Sequence, residues 1–260
     1  MSREHSRRGA KRARQAREDL SLGAGPLTDL LVTIERRAGA HVLVLDLGAD
    51  VAGAFIDRPG LPLLFVNGND AAVRQRFTLG HELGHLRMNH GSVVDRPEAV
   101  SGYDHDPVEV SANAFAAELL MPKVAVEEWG RDRVGRRLQL HDVVEFACAF
   151  GVSAQAARFA FATAGVESDQ ACLAELDAAI AEEEHIALAR ELRLTPLNDE
   201  LARIGGHLPR IPATMRDTAF GDLVTGTIGV QLFARRLGQS TQTTLLMLGQ
   251  LGITDLLDAA

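Results

Sequence analysis

The spacing of apolar residues changes several times along the chain, and each change marks a new element. Leu27 to Arg37 reads as a helix, with Leu30, Leu31 and Ile34 on one face. Three short apolar runs follow, His41–Leu47, Val51–Asp57 and Leu61–Asn67, each bounded by Gly, Asp, Pro or Asn. Runs of that length and punctuation predict strands of a small sheet. The cluster Asn67-Gly68-Asn69-Asp70 predicts a turn, with Asp70 placed to cap a helix starting near Ala71. Along that helix Phe77, Leu79, Leu83 and Leu86 are expected to face a core. Asp106 as N-cap and Pro107 at the first helical position signal another helix, which carries Val110, Phe115, Ala116, Leu119 and Leu120 and ends near Pro122. Beyond Arg136 the pattern is helical throughout. Leu138 to Phe150 and Ser153 to Ala164 form a pair around Gly151, and helices from Glu167 onward are broken near Thr195-Pro196, Gly205-Gly206 and Ile211-Pro212.

The expected class is therefore α+β: a small mixed sheet with its helices, followed by an all-helical C-terminal region. The expected division is a basic mobile arm over 1–25, a catalytic domain over 26–135, a helical pair over 136–166 and a helical extension over 167–260. The arm carries Arg3, Arg7, Arg8, Lys11, Arg12, Arg14 and Arg17 with almost no large apolar residues, so little in it offsets the entropy of ordering.

Composition narrows the function classes. Hydrophobic residues are 46% and charged residues 24%, as in a globular protein with a core. A net charge of -8 argues against nucleic acid as the main partner; direct DNA contact, if any, would use the basic arm. Cys148 and Cys172 lie among apolar or small neighbours without metal-type spacing and read as reduced core residues. No uncharged apolar run approaches the roughly 18 residues that span a bilayer, and no signal-type apolar stretch follows the basic start. A cytoplasmic protein without membrane contact is expected.

His81-Glu82-Leu83-Gly84-His85 is an HExxH motif. On a helix its histidines lie one turn apart on one face, where both imidazoles reach a single ion, and the intervening glutamate is placed as general base. Gly80 and Gly84 would let another element approach closely. Zinc suits neutral imidazole, and a catalytic site needs a third protein ligand. Glu109, 28 positions after His81, is a candidate, with Asn113 one turn on to orient a histidine by hydrogen bonding. Glu109 equally fits a capping box on Asp106, and the spacing alone leaves both readings open.

The strings Phe65-Val66-Asn67, Arg74 through His85, and Ala112-Asn113-Ala114-Phe115-Ala116-Ala117-Glu118-Leu119-Leu120-Met121-Pro122 together resemble the ImmA/IrrE-type metallopeptidase family, over roughly Pro26 to Gly165. The resemblance implies a zincin-like fold, one zinc ion and Glu109 as third ligand. Where the family often has a further acidic residue two positions on, this chain has Ser111. It also implies an intracellular endopeptidase whose protein substrate is a helix-turn-helix transcriptional repressor, cleaved to relieve repression of stress or mobile-element genes. Two other settings compete: a regulatory binding protein that sequesters a transcription factor or touches DNA, and a toxin–antitoxin or phage-defence component.

Weaker signals remain. Tyr103, His105 and His90 are candidate donors to a transition-state oxyanion, although a polar loop explains the first two and a helix C-terminus the third. Ala147, Gly151 and Ser153 have helix-turn-helix spacing, but the would-be reading helix offers only Arg158, so a packing or docking unit is expected. Glu118 reads as structural or solvated, and Trp129 as an anchor just after the catalytic core.

Overall fold

The computed structural model describes residues 2–101, 105–131, 136–195 and 210–250. The three predicted strands form, as β1 (His41–Leu45), β2 (Gly53–Ile56) and β3 (Leu63–Asn67), and a fourth, β4 (Val93–Asp95), joins them. The sheet order is β1-β3-β2-β4. β1 runs parallel to β3, and β2 pairs antiparallel with both β3 and β4, so the mixed sheet of the α+β class is present. Buried Asn67 secures the β1–β2 connection: its amide donates to the carbonyls of Gly48 and Val51 at 2.6 and 2.8 Å.

The helix predicted at Leu27 begins later, as α2 (Leu30–Thr33), and continues as a π-helical turn over Ile34–Ala38. The motif helix is α3 (Ala72–Met88). Its N-cap is Ala71 without a side-chain bond, in place of the expected Asp70; the Gln75 amide instead donates to the carbonyls of Gly68 and Asp70. The expected split between core and open faces also fails, because His81, Glu82 and His85 are as buried as Leu79 and Leu83. α3 is a central helix, with the sheet on one side and α5 (Pro107–Leu120) on the other. The two glycines explain how α5 comes so close: a Cβ on Gly80 would sit 3.3 Å from Ala116 Cβ, and one on Gly84 would sit 3.2 Å from the Phe115 ring.

The basic arm is the main departure from expectation. Ser2–Asp19 is a helix, α1, packed along α5. Small residues do the work that large apolar ones were expected to do: Gly9, Ala13 and Ala16 face inward, and a Cβ on Gly9 would fall 2.0 Å from the Ser111 carbonyl oxygen. Helices in such close approach gain dispersion contacts along their whole length. Buried Arg17 then donates to the carbonyls of Leu119, Gly23 and Gly25, satisfying the C-terminal turn of α5. Arg14 pairs with Glu118 at 3.2 Å, which gives Glu118 the structural role expected for it.

After α4 (Pro97–Val100) and α6 (Lys123–Arg131), the predicted pair forms as α7 (Leu140–Phe150) and α8 (Ala154–Ala164), bent by 107° at Gly151. Gly151 has φ 62°, the left-handed conformation that favours glycine. Phe146, Phe150 and Phe161 join one buried cluster with Leu79, Leu83 and Phe115, and Trp129 meets Phe146 edge-on at 5.4 Å. Arg76 of α3 donates to the carbonyls of Gly151 and Leu27, locking the pair to the motif helix. Arg158 is engaged by Asp177 and the Leu173 carbonyl. α9 (Gln170–Ala181) and α10 (Glu184–Glu191) pack on this pair.

Farther on, α11 (Ala213–Val224), α12 (Val230–Arg236) and α13 (Thr241–Gln250) enclose a separate small core of Ala219, Leu223, Ile228, Val230, Phe233, Leu237 and Leu248. Arg210 ties this end of the chain to the sheet. It forms an antiparallel bridge with Val44 on the outer side of β1, and its guanidinium meets both oxygens of Glu35 at 2.9 Å. Among the described residues no single helix is long and apolar enough to cross a membrane.

Candidate metal centre

α3 carries His81 and His85 one turn apart, so both rings point to the same side. α5 crosses at that level and presents Glu109 from its first turn, while the last residue of β4, Asp95, enters from the sheet. Asp106 accepts from the Val108 amide at 2.8 Å and caps α5, as expected. The Glu109 carboxylate turns instead toward the histidines. His81 Nε2 lies 2.9 Å from His85 Nε2 and 3.1 Å from Glu109 Oε2, and His85 Nε2 is 3.7 Å from Glu109 Oε2. Asp95 Oδ2 is 3.4 Å from His81 Nε2 and 3.5 Å from His85 Nε2. All four donor atoms lie within 4.8 Å of one another.

The hydrogen bonds behind the rings determine what those nitrogens offer. His81 Nδ1 is 2.9 Å from Asn113 Oδ1, and the Asn113 amide nitrogen donates to the Ala99 carbonyl at 2.7 Å. The amide oxygen can only accept, so neutral His81 keeps its proton on Nδ1 and presents a lone pair at Nε2. His85 Nδ1 meets His90 Nδ1 at 3.1 Å, a contact that needs one proton between the rings. With that proton on His85, its Nε2 also presents a lone pair. Two lone pairs and two carboxylate oxygens then converge in a space with almost no solvent exposure. A cation would reconcile them.

The electrostatics agree. Burial opposes protonation of His81, yet hydrogen bonds to Asp95 and Glu109 outweigh it and push its pKa up, as though the ring were neutralising two carboxylates. Burial alone would raise Glu109, but hydrogen bonds to His81 and His85 bring it down to about 2. Glu82 moves the other way, well above the usual carboxylate range, first through burial and then through the negative charges of Asp95 and Glu109. Glu82 and Asp95 approach each other at this depth, and among the described residues no donor from outside the cluster reaches either Glu82 oxygen or Asp95 Oδ2. Carboxylate oxygens this deeply buried and so little compensated are what a metal-binding centre would contain. His81, His85, Asp95 and Glu109 fit a metal ion by donor type, separation and burial.

Residues 35–161 match the model of the Peptidase_M78 family, described as the IrrE N-terminal-like domain. Over that stretch the chain is similar to the Peptidase_M78 family. No curated protein matches the chain. The Peptidase_M78 match runs from the π-helical turn after α2 into α8, so it spans the sheet, the cluster and most of the helical pair, and it supports a metallopeptidase-like function. α1 and everything beyond residue 161 lie outside the match.

Within the Peptidase_M78 domain, the structure brings together His81, Glu82, His85, Glu109 and Asn113. It does not bring in His105, which is exposed just before the α5 cap. Tyr103 lies outside the described residues. His90 sits behind His85 rather than on a substrate side; burial, then the charges of His85 and Arg8, lower its pKa to about 4, which suits a neutral acceptor. Ser111 turns away from the cluster and bonds to the Val108 carbonyl at 2.9 Å. Asp95 is the residue that sequence reasoning missed. Its only sequence signal is a carboxylate closing the β-branched Val93-Val94 run, which says nothing of what lies opposite it.

Proposed function

We propose that this chain is a zinc-dependent endopeptidase acting on a protein substrate, with His81, His85 and Glu109 holding one zinc ion and Glu82 as general base. The observation that carries this reading is the convergence of two imidazole lone pairs from α3 and a carboxylate from α5 on one point, with atom separations of 2.9 to 3.7 Å. Ligands 2.0–2.1 Å from a tetrahedral ion are about 3.3 Å apart, within that range. Zinc supplies Lewis acidity toward a carbonyl and lowers the pKa of water to roughly 7. The protein's own part is to place a proton acceptor there. Glu82 follows His81 in α3, no donor from outside the cluster engages its carboxylate among the described residues, and burial with the charges of Asp95 and Glu109 raises its pKa well above the usual carboxylate range. Asn113 holds His81 in the required tautomer, and Asn113 is itself held by Ala99.

β4 is the outer strand of the sheet on the side of the cluster, and Val94 on it is 61% exposed. An extended peptide can add to such an edge, with main-chain hydrogen bonds setting its register. The substrate class, a helix-turn-helix transcriptional repressor whose cleavage relieves repression of stress or mobile-element genes, rests on the ImmA/IrrE resemblance. A second reading draws on one observation, the near-complete burial of the cluster. A regulatory protein that sequesters its partner, with the metal serving only the fold, would show the same feature.

The full-length protein, incubated with candidate repressors with and without a chelator, separates the two readings. Metal-dependent cleavage supports the peptidase. Relief of repression with the repressor intact and the metal removed supports sequestration. Glu82→Gln should retain zinc and lose ~10²–10⁴-fold in cleavage rate. Wild-type cleavage by that variant would remove Glu82 from the base role.

A further inference from the structure

We infer that Asp95 is a fourth protein donor to the ion, closing the centre in its resting state, so that Asp95 must withdraw before water and a substrate carbonyl can reach the metal. This rests on the metallopeptidase reading and adds a regulated step to it. The geometry is one argument. Five of the six separations among the four donor atoms, 2.9, 3.1, 3.4, 3.5 and 3.7 Å, scatter about the ~3.3 Å edge of a tetrahedron of 2.0–2.1 Å bonds, and the sixth, between Asp95 and Glu109, is within 4.8 Å. With three donors alone the fourth position would belong to solvent; here the Asp95 oxygen lies beside both histidine nitrogens, within reach of that position.

Burial is the second argument. Asp95 is 2% exposed, and among the described residues its Oδ2 finds no donor outside the cluster, although an uncompensated buried carboxylate is strongly unfavourable. Its backbone is in place for other reasons: the Asp95 carbonyl accepts from Ala52 at 2.8 Å, and Asp95 stands opposite Gly53 in the β2–β4 register. The side chain therefore points inward by strand register and, among the described residues, meets the histidines and Glu82 and the centre they define.

The third argument is functional. Zinc sites filled by four protein donors are structural, whereas catalytic ones keep a position open. With His81, Glu82 and His85 at 0% exposure and Glu109 at 7%, no extended peptide reaches the centre as it stands. Asp95 belongs to the element best suited to move. β4 has three residues and among the described residues pairs with β2 alone, and Gly91 before it has φ 77°. Arg74 holds the other end through the Pro97 carbonyl and Ser101 at 2.7 and 2.9 Å. Displacement of β4 about Gly91 would carry Asp95 away from the fourth position. A substrate strand pairing with β4 would be well placed to drive it.

Cobalt(II) substitution of the full-length protein tests this without reference to cleavage. Wild type should show the intense visible absorption of a four-coordinate protein site and little change when acetohydroxamate is added. Asp95→Ala should hold cobalt ~10–100-fold more weakly by chelator competition, and its spectrum should shift on acetohydroxamate addition, because a position has opened. Asp95→Asn, which preserves volume, guards against misfolding and should behave in the same direction, with circular dichroism unchanged. Two outcomes overturn the inference while leaving the peptidase reading intact: an Asp95→Ala spectrum and affinity equal to wild type, or a wild-type spectrum that responds to acetohydroxamate as readily as the variant. Failure of wild type to bind cobalt or zinc at all, with His81→Ala indistinguishable from it, would overturn both.

Discussion

Glu82 is held in place by a residue with no side chain. A Cβ on Gly53 would lie 2.4 Å from Glu82 Oε1 and 2.5 Å from Thr78 Cγ2, so the glycine of β2 forms the wall against which the carboxylate rests. Gly53→Ala should therefore cost ~1–3 kcal/mol as an overpacked core, read by urea denaturation. It should also cut cleavage while zinc stoichiometry stays near one, because the ligands on α3 and α5 are not displaced. Asn113 and His90 do a parallel job for the metal ligands by holding the far nitrogens of His81 and His85. Asn113→Ala and His90→Ala should each weaken zinc binding ~10–100-fold in a chelator titration without abolishing it. Of this set, the HExxH residues were legible because helical period alone aligns them. Asn113 was legible as a hydrogen-bonding partner one turn from Glu109. His90 was legible as a helix-terminal imidazole, with an oxyanion role only as the weaker candidate; its place behind His85 was not, because which side of a ring a helix-terminal side chain reaches depends on the path of the chain after the cap.

Among the elements, α1 shows how a pattern of charges can hide a packed helix. Arginine and lysine at most exposed positions give the segment the look of a solvated tail, yet the inward stripe of Gly9, Ala13, Ala16 and Leu20 is continuous at helical spacing. Its stability comes from close approach to α5 and from the Arg17 bonds to three carbonyls. Gly9→Leu should push α1 from α5, since the obstacle is the Ser111 backbone and cannot rotate away. Limited proteolysis would then find cleavage within residues 2–19 that wild type resists. Arg17→Ala leaves buried carbonyls unpaired and should cost ~1–3 kcal/mol. Strands β1 to β3 were foreseen from their bounded apolar runs, whereas β4, with three residues, was too short for any periodicity to register.

For the molecule as a whole, a metal held at this cluster would be coupled to the fold, because four electron-pair donors share a buried space. Chelation should lower the melting temperature in a scanning experiment; a ligand at 100 times its Kd contributes about 2.7 kcal/mol. Glu109→Ala should abolish that difference between chelated and zinc-loaded samples. The far end of the chain is attached more lightly. Residues 210–250 have their own small core and reach the sheet through Arg210, Glu35 and Val44. Arg210→Ala should raise hydrogen exchange at the Val44 amide, which donates to the Arg210 carbonyl at 2.9 Å, with little effect on zinc content.

Local sequence determined those features whose causes lie within a turn or two of one helix or strand. The HExxH face of α3, the Asp106-Pro107 start of α5, the glycines that admit it and the turn at Gly151 are all of this kind. Tertiary structure alone decided which carboxylates meet the histidines. Glu109 had two local readings and chose the metal-directed one because α5 crosses α3 at that height. Asp95 had no local reading, because its position follows from pairing with Gly53, 42 residues earlier in the chain, and strand register is a property of the assembled sheet.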